Sequence, residues 1–445
     1  MASASPLGIE EISAGLASIA SAAPSQLQQF TLDNGLSVYL REDHSTPLVA
    51  VQLWCHVGNS YEPAGHTNLS HVLEHLVFEG SSKLAAGQYN RVITRLGGYT
   101  NATTQADGTA FEMLLPGSRL PIGLEIMADA MSTATFGQAE VAQGVKAVEN
   151  ERRVNFVGNA KEQAYSQHET LAHGDSPYAR DGYAFPADLG NITLETLRAW
   201  YNTWYQPNNA TLVVVGDVDL PTLQLHVARY FAGLPKAPIA KQPVPRHGTL
   251  LEQRKHTVAL PGLRHGLYMS FNVPGYATAP DATTAPTLEL ICEVLGKGAS
   301  ALLYRELVRQ KLLISDLRVR YEPLVRGDTL LTISADVNIS NATHDQAAEA
   351  VYQVIDKLRL TPLSREELDQ TKLRMLSRQL FGLDDLDRQA ARVGAAAAAG
   401  ISPSVIDDQA RIVRNLDSAG VQKAVAAYLG RERLTITYLQ PGAAA

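Results

Sequence analysis

Apolar and polar positions along this chain alternate between two rhythms, strand-like runs of period two and helical runs of longer period. Phe30–Leu32 and Leu36–Leu40 flank Asp33-Asn34-Gly35, a strong hairpin signal. Leu48–Val57 reads as a buried strand. Helical patterns then cover the run HVLEHLVFEG, which begins at His71, and residues near Gln88–Leu96, where Gly97-Gly98 breaks them. Tyr99–Thr104 and Thr109–Leu115 alternate as two strands, followed by helices near Pro121–Met131 and Gln138–Val157. Residues 158–190, rich in Gly, Pro, Asp and Tyr, read as a long connection. An amphipathic helix over Leu194–Tyr205 leads into the strand Thr211–Val215, and Leu220–Phe231 is a further helix.

The stretch GLPKAPIAKQPVPRHG, residues 233–248, holds four prolines and little periodicity, the composition of a linker. After it the pattern restarts. His256–Leu260 and Gly266–Val273 read as strands, Thr283–Leu295 and Ser300–Lys311 as helices, and Leu313–Tyr321 and Thr329–Val337 as strands. Helices fill roughly 344–430, and Leu434–Leu439 closes the chain as a strand. The halves resemble each other at both ends. VAVQLWCHVG in the first matches GLYMSFNVPG in the second, and LRAWYNTWYQPNNATLVVVGDV matches VQKAVAAYLGRERLTITYLQPG. The expected division is an Ala/Ser-rich extension over 1–27, helical in pattern at Ile9–Ile19, a first α+β half over 28–232, the linker 233–248, and a homologous half over 249–445.

Composition narrows the function classes. At 445 residues the chain exceeds one ordinary core, and 45% hydrophobic with 19% charged residues describes a soluble globular protein. A net charge of -7 supplies no basic footprint, so nucleic acid is not the expected partner. No apolar run approaches the roughly 20 residues of a membrane span. The two cysteines, Cys55 and Cys292, fall in different halves and make neither a disulfide framework nor a zinc-ribbon pattern. Any metal must therefore be held by nitrogen and oxygen. The N-terminal stretch lacks the basic and long apolar regions of a signal peptide and is compatible with the mature end of an exported protein.

Such a donor set stands in His71-Val72-Leu73-Glu74-His75. Residues i and i+4 of a helix share a face, so both imidazoles reach one ion from consecutive turns, and Glu74 sits at the edge of that face. Leu73, Leu76 and Val77 supply the apolar side, and Thr67, Asn68 and Ser70 are candidate caps. The spacing H-x-x-E-H is the inverted zinc-peptidase signature, two His ligands and a Glu that activates water. The other histidines have no ligand spacing and read as structural or surface residues.

At this point the chain resembles the pitrilysin/insulinase family of zinc peptidases, which includes the mitochondrial processing peptidase subunits. The resemblance spans nearly all of residues 28–440 and rests also on LDNGLSVYL, EPAGHTNLSHVLEHLVFEG, GGYTNATTQADGTAFEM and YQPNNATLVVVGDVD. It implies an α+β fold of two homologous halves, each of two related α+β units with antiparallel-rich sheets flanked by helices, in a clam-shell dimer around a chamber. It implies a zinc endopeptidase with Glu74 as general base and a third ligand in VENERRV, at Glu151. Glu149 is two residues away and lies on a different helix face. Many relatives carry a further Glu where this chain has Gly144. The strand Tyr99–Thr104 resembles the family's substrate-binding edge strand, with Asn101, Ala102 and Thr104 as peptide contacts.

The second half departs from that pattern. Relatives place an Arg and a Tyr there, which reach across the chamber to the substrate carbonyl. Here Leu302 and Ser315 stand at those positions, with Arg305, Arg309 and Tyr304 offset nearby. The expectation is therefore a heterodimer with a homologous subunit that lacks the zinc motif and carries the Arg/Tyr pair, a homodimer being the alternative. The resemblance also suggests a bacterial periplasmic protein, with the cytoplasm as alternative. A rival from another class is a non-catalytic structural or peptide-binding subunit of the same fold.

Overall fold

The computed structural model describes residue 15 and residues 25–180, 182–248 and 251–443. The helical pattern at Ile9–Ile19 lies outside them but for Gly15. In the first half, β1 (Gln28–Thr31), β2 (Ser37–Glu42), β3 (Leu48–Cys55), β4 (Tyr99–Thr104), β5 (Thr109–Pro116) and β6 (Ala210–Gly216) form a sheet ordered β1-β2-β6-β3-β5-β4. The β2–β6 pair is parallel and the rest are antiparallel. Its helices are α1 (Leu69–Val77), α2 (Gln88–Arg95), α3 (Leu120–Thr133), α4 (Gln138–Arg152), α5 (Ala160–His173), α6 (Leu194–Trp204) and α7 (Leu220–Phe231).

The second half repeats this order. β7 (Arg254–Leu260), β8 (Gly266–Pro274), β9 (Ile314–Tyr321), β10 (Asp328–Val337) and β11 (Leu434–Pro441) pair as β7-β11-β8-β10-β9, again with one parallel pair, β7–β11. Without β1, the first sheet has the same strand order, so the repeat legible at the ends of the halves extends to every strand. The helices are α8 (Thr284–Gly296), α9 (His344–Leu360), α10 (Arg365–Phe381), α11 (Leu386–Ala398), α12 (Ser404–Asn415) and α13 (Ser418–Tyr428). The α+β class holds. Within each half the described strands join one sheet, so a half is a single α+β unit and the chain contributes two.

Each sheet is covered on both faces, and each half lends the other a helix. Along β3, Val49, Val51, Leu53 and Cys55 enter the core under the first half's own helices. Ala50 and Trp54 alternate to the opposite face and pack under α11 of the second half, with Ala390 and Val393. A Cβ on Gly394 would lie 2.1 Å from Trp54 Nε1, so only glycine lets α11 approach this closely. Burial on both faces is why β3, β6 and β8 read as almost unbroken apolar runs.

The reciprocal helix is α5, and it overturns the reading of 158–190 as a connection, because 160–173 is helical. Its seam with the second sheet joins an apolar patch, where Ala164 packs with Val258, Tyr268 and Leu439, to a polar centre. His168 is wholly buried, with Nδ1 2.8 Å from Thr437 Oγ1 and Nε2 2.7 Å from Ser270 Oγ. A helix whose buried face carries His and Ser shows no apolar stripe, so periodicity misses it. Two helices also end differently from expectation. Beyond Arg152 the chain continues as a wide π-type turn over Arg153–Val157, and within the expected helix Ser300–Lys311 residues Tyr304–Gln310 wind the same way. Cys55 and Cys292 are buried and free.

Candidate metal centre

The apolar side of α1, from Leu69, Val72, Leu73, Leu76 and Val77, is buried, which turns His71, Glu74 and His75 toward a cleft of ≈ 600 Å³. The expected caps do not close the helix. Asn68 is left-handed, with φ 74, and its amide donates to Gly182 O at 2.9 Å. Instead Glu62, six residues upstream, accepts from the backbone N–H of Asn68 and Ser70 at 2.8 and 2.7 Å. Burial pushes the Glu62 carboxyl up to about 7 against those two N–H groups, which favour the anion.

Glu151, at the end of α4, faces both imidazoles. His71 Nε2 to Glu151 Oε2 and His75 Nε2 to Glu151 Oε1 are each 3.3 Å. Those spans fit an ion held by all three. Corners of a tetrahedron about 2.0–2.1 Å from its centre stand roughly 3.3–3.4 Å apart, the spacing of zinc ligands. The His75 Nε2 atom is also buried without a hydrogen-bond partner, although Glu151 is near. Ligand atoms of His71, Glu74 and His75 lie within 4.8 Å of one another, the only such group of three among the described residues. Burial pulls the His71 imidazolium down, but the hydrogen bond to Glu151 and the charges of Glu74, Glu151 and Glu62 leave it above its ordinary value. The hydrogen bond to His71 is also what lowers the Glu151 carboxyl, against its own burial. The crowded carboxylates thus call for positive charge.

The remaining expected residues are placed as follows. Glu149 is exposed, on a different face of α4 from Glu151. Asn101, Ala102 and Thr104 lie on β4, the edge strand, and line the cleft. Thr104 does more than line it, since its hydroxyl donates to Glu74 Oε2 at 2.6 Å. Gly144 marks a close approach, for a Cβ there would meet Leu76 and Val72 of α1 at 3.3 and 3.4 Å. In the second half Leu302 packs against the core, and Ser315 Oγ is spent on Asp336 O at 3.4 Å. Arg305 lies 3.6 Å from Glu367, and the Arg309 guanidinium sits 5.6 Å from the Tyr304 ring.

Sequence reasoning missed Tyr183. Its hydroxyl donates to Glu151 Oε2 at 3.2 Å, its carbonyl accepts from Arg152 Nε at 2.7 Å, and its ring meets His71 edge-on at 5.9 Å. It therefore orients both the carboxylate and an imidazole. It lies in the stretch taken for a connection, and a lone Tyr among Gly and Pro gives no signal.

Known proteins resemble this chain along most of its length. The family model described as insulinase, peptidase family M16, matches residues 37–171, and the one described as the peptidase M16 inactive domain matches residues 191–375. The zinc protease PqqE of Helicobacter pylori is 26% identical over 350 residues, 78% of this chain and 78% of that one. The crystal structure of a protease from Helicobacter pylori superposes with a TM-score of 0.86 at 23% identity, over 94% of this chain and 100% of that one. The periplasmic protease PqqL from Escherichia coli superposes with a TM-score of 0.78 at 18% identity, over 94% of this chain but 48% of that one. Among the described residues no helix is long and apolar enough to cross a membrane.

Proposed function

We propose that this chain, which belongs to the insulinase (M16) family of peptidases, is the zinc-carrying subunit of an endopeptidase that hydrolyses peptides inside a chamber. The observation that carries the reading is the convergence of His71, His75 and Glu151 at 3.3 Å spans beside Glu74. His71, His75 and Glu151 would hold the ion, and Tyr183 fixes Glu151 for that task. When bound, zinc supplies a Lewis acid that acidifies water and polarises a carbonyl. Glu74 takes the proton of the attacking water and delivers it to the leaving amine. Thr104 pins Glu74 Oε2, which leaves Oε1 free for that transfer. The free edge of β4 receives the peptide as an added strand, with Asn101, Ala102 and Thr104 beside the scissile bond.

Negative charge that develops on the carbonyl oxygen needs donors, and Leu302 and Ser315 supply none across the chamber. A homologous subunit with an Arg/Tyr pair completes the site in this reading. PqqL supports it by size, since this chain matches 48% of that protein and leaves room for a second half. The division into a metal-bearing half over 28–232 and a metal-free half over 249–445, joined by 233–248 and preceded by the extension 1–27, belongs to the same proposal. So does a periplasmic location, by analogy with PqqL.

The decisive variant is Glu74→Gln. An amide cannot accept the water's proton, so the variant should keep about one zinc per chain and lose about 10²–10⁴-fold in peptide hydrolysis. Wild-type turnover with bound zinc would remove Glu74 from the mechanism, whereas a zinc-loaded parent that binds peptide without cleaving it would favour the peptide-binding rival.

A further inference from the structure

Behind the cleft the two halves meet through a buried ion pair. Asp107 lies in the turn 105–108 that joins β4 to β5, and Arg326 lies in the turn that joins β9 to β10 of the other half. The Arg326 backbone N–H donates to Asp107 Oδ2 at 2.8 Å and its Nε to Oδ1 at 3.3 Å. Its Nη2 donates to Ser60 Oγ at 3.1 Å, its Nη1 to Pro243 O at 2.5 Å, and the guanidinium sits 4.3 Å from the Tyr61 ring centroid. Tyr178 closes the far side. Its hydroxyl donates to Asp107 Oδ2 at 2.6 Å and accepts from Gly327 N–H at 2.9 Å. The Asp107 and Arg326 side chains keep 6% and 11% of their exposure.

Both segments that Arg326 grips lead straight into the site. The turn 105–108 continues β4, whose Thr104 holds Glu74. The same turn accepts from residues 59 and 60, through Asn59 N–H to Gln105 O at 3.1 Å and Ser60 N–H to Ala106 O at 2.9 Å. Two residues further on, Glu62 caps α1. A rigid guanidinium fork can satisfy Asp107, Ser60 and Pro243 together, whereas an ammonium cannot reproduce that geometry.

We infer that Arg326 is a positioning residue for the peptide-binding edge: it clamps the β4–β5 turn to residues 59–61, so that the second half sets the spacing between β4 and the metal helix of the first. The inference rests on the reading of β4 as the strand that takes the peptide. A peptide added to β4 is held by a row of main-chain hydrogen bonds, and each weakens when the edge loses its register. Loosening the clamp should therefore weaken binding of the whole peptide and leave the metal ligands alone.

The test uses the full-length chain in the Glu74→Gln background, with and without Arg326→Lys, and a fluorescein-labelled unstructured decapeptide as probe. Arg326→Lys should weaken decapeptide affinity about tenfold, leave zinc content unchanged, and speed hydrogen exchange in residues 59–62 and 99–108. Ser60→Ala, a milder loss from the same network, should move affinity and exchange the same way by less. A lowered melting temperature with unchanged affinity and unchanged exchange in 99–108 would make Arg326 merely structural and overturn the inference. If the parent protein binds no decapeptide but Arg326→Lys still loosens 59–62 and 99–108, the clamp stands and the peptide-edge reading falls.

Discussion

The metal centre has a counterpart in the second half with its charges reversed. α1 and α8 occupy the same place in the repeat, α1 between β3 and β4 and α8 between the matching strands β8 and β9. Where α1 has His71, Glu74 and His75, α8 has Glu289, Cys292 and Glu293 at the same spacing. Glu151 is the fourteenth residue of α4, and Arg378 is the fourteenth of α10. The contact is also repeated, because Arg378 Nη1 reaches Glu293 Oε1 at 2.5 Å just as Glu151 reaches His75. Lys297 lies 3.0 Å from the same Glu293 oxygen, while Tyr276 and Gln409 occupy Glu289. The first site gathers two carboxylates around two imidazoles, and in the proposed reading a metal cation would complete it. The second has already supplied two cations as side chains. Helical spacing alone therefore does not make a metal site; the side chains that surround the spaced residues decide it, and the neighbouring helix supplies one of opposite sign in each half.

Moving that sign should have the largest effect. Glu151→Arg puts a guanidinium where the ion would sit, so zinc content should fall below about a tenth of an ion per chain, and hydrolysis should fall to background. Arg378→Glu should not create a second site, since Glu289 is committed to Tyr276 and Gln409 and Lys297 still faces Glu293. Metal analysis of the two variants reads both outcomes. A second zinc in Arg378→Glu would show that the charge of this one position suffices.

The two exchanged helices offer a second contrast, between a seam built around a buried histidine and a mainly apolar one. Burial pushes His168 and His173 down to about 3, and pushes His247, beside His173, down to about 4. The folded chain keeps these rings neutral, while the unfolded chain protonates them below about 6.5. The stability they contribute is full above that pH and drains as pH falls toward 3, by roughly 3 kcal/mol per histidine at pH 4.5. The α11 seam holds Trp54, Ala390 and Val393, and its Asp387 carboxyl is raised by burial, so acid does not load it. Hydrogen exchange at pH 4.5, corrected for intrinsic rates, should speed up over 160–173 and not over 386–398. Equal loosening of both helices would mean that the histidines do not set the acid response.

That contrast also marks what the amino-acid pattern could reveal. Apolar alternation exposed β3, β6 and β8, because packing on two faces demands apolar residues on both. The histidine pair and Glu74 were legible because helical spacing fixes their common face, and Glu151 because the family resemblance pointed to it. Three features had no local signal. α5 hides its role because its buried positions are Ala164, Ser166, His168 and Ala172, which mark no strong apolar stripe, and His168 meets the Ser270 and Thr437 hydroxyls. Glu62 and Tyr183 act on α1 and Glu151 from loops, and their roles exist only after the chain has folded back. The Arg326 clamp joins residues 219 apart in sequence, and no spacing rule connects Asp107 to the other half.

The smallest predicted effect comes from a further pair of matched positions. Two residues before β4 stands Gly97 with φ 82, and two residues before β9 stands Leu312 with φ 55. Both halves have a left-handed residue at the entry to these matching strands, and only the first uses glycine for it. A leucine held there strains its Cβ against the backbone by about 1–2 kcal/mol. The site returns little for that strain, since Leu312 is 53% exposed. Its carbonyl accepts from Asn338 and Asn341 at 2.9 and 3.1 Å, and a glycine carbonyl would do the same. Leu312→Gly removes the strain but adds freedom to the unfolded chain, worth about 0.4–1 kcal/mol. The difference leaves a gain of about 0.5 kcal/mol, to be read from urea unfolding curves of the two proteins. A loss of about 1 kcal/mol instead would mean that the exposed leucine side chain is held by contacts stronger than its backbone strain, and that the halves part company here by packing rather than by accident of sequence.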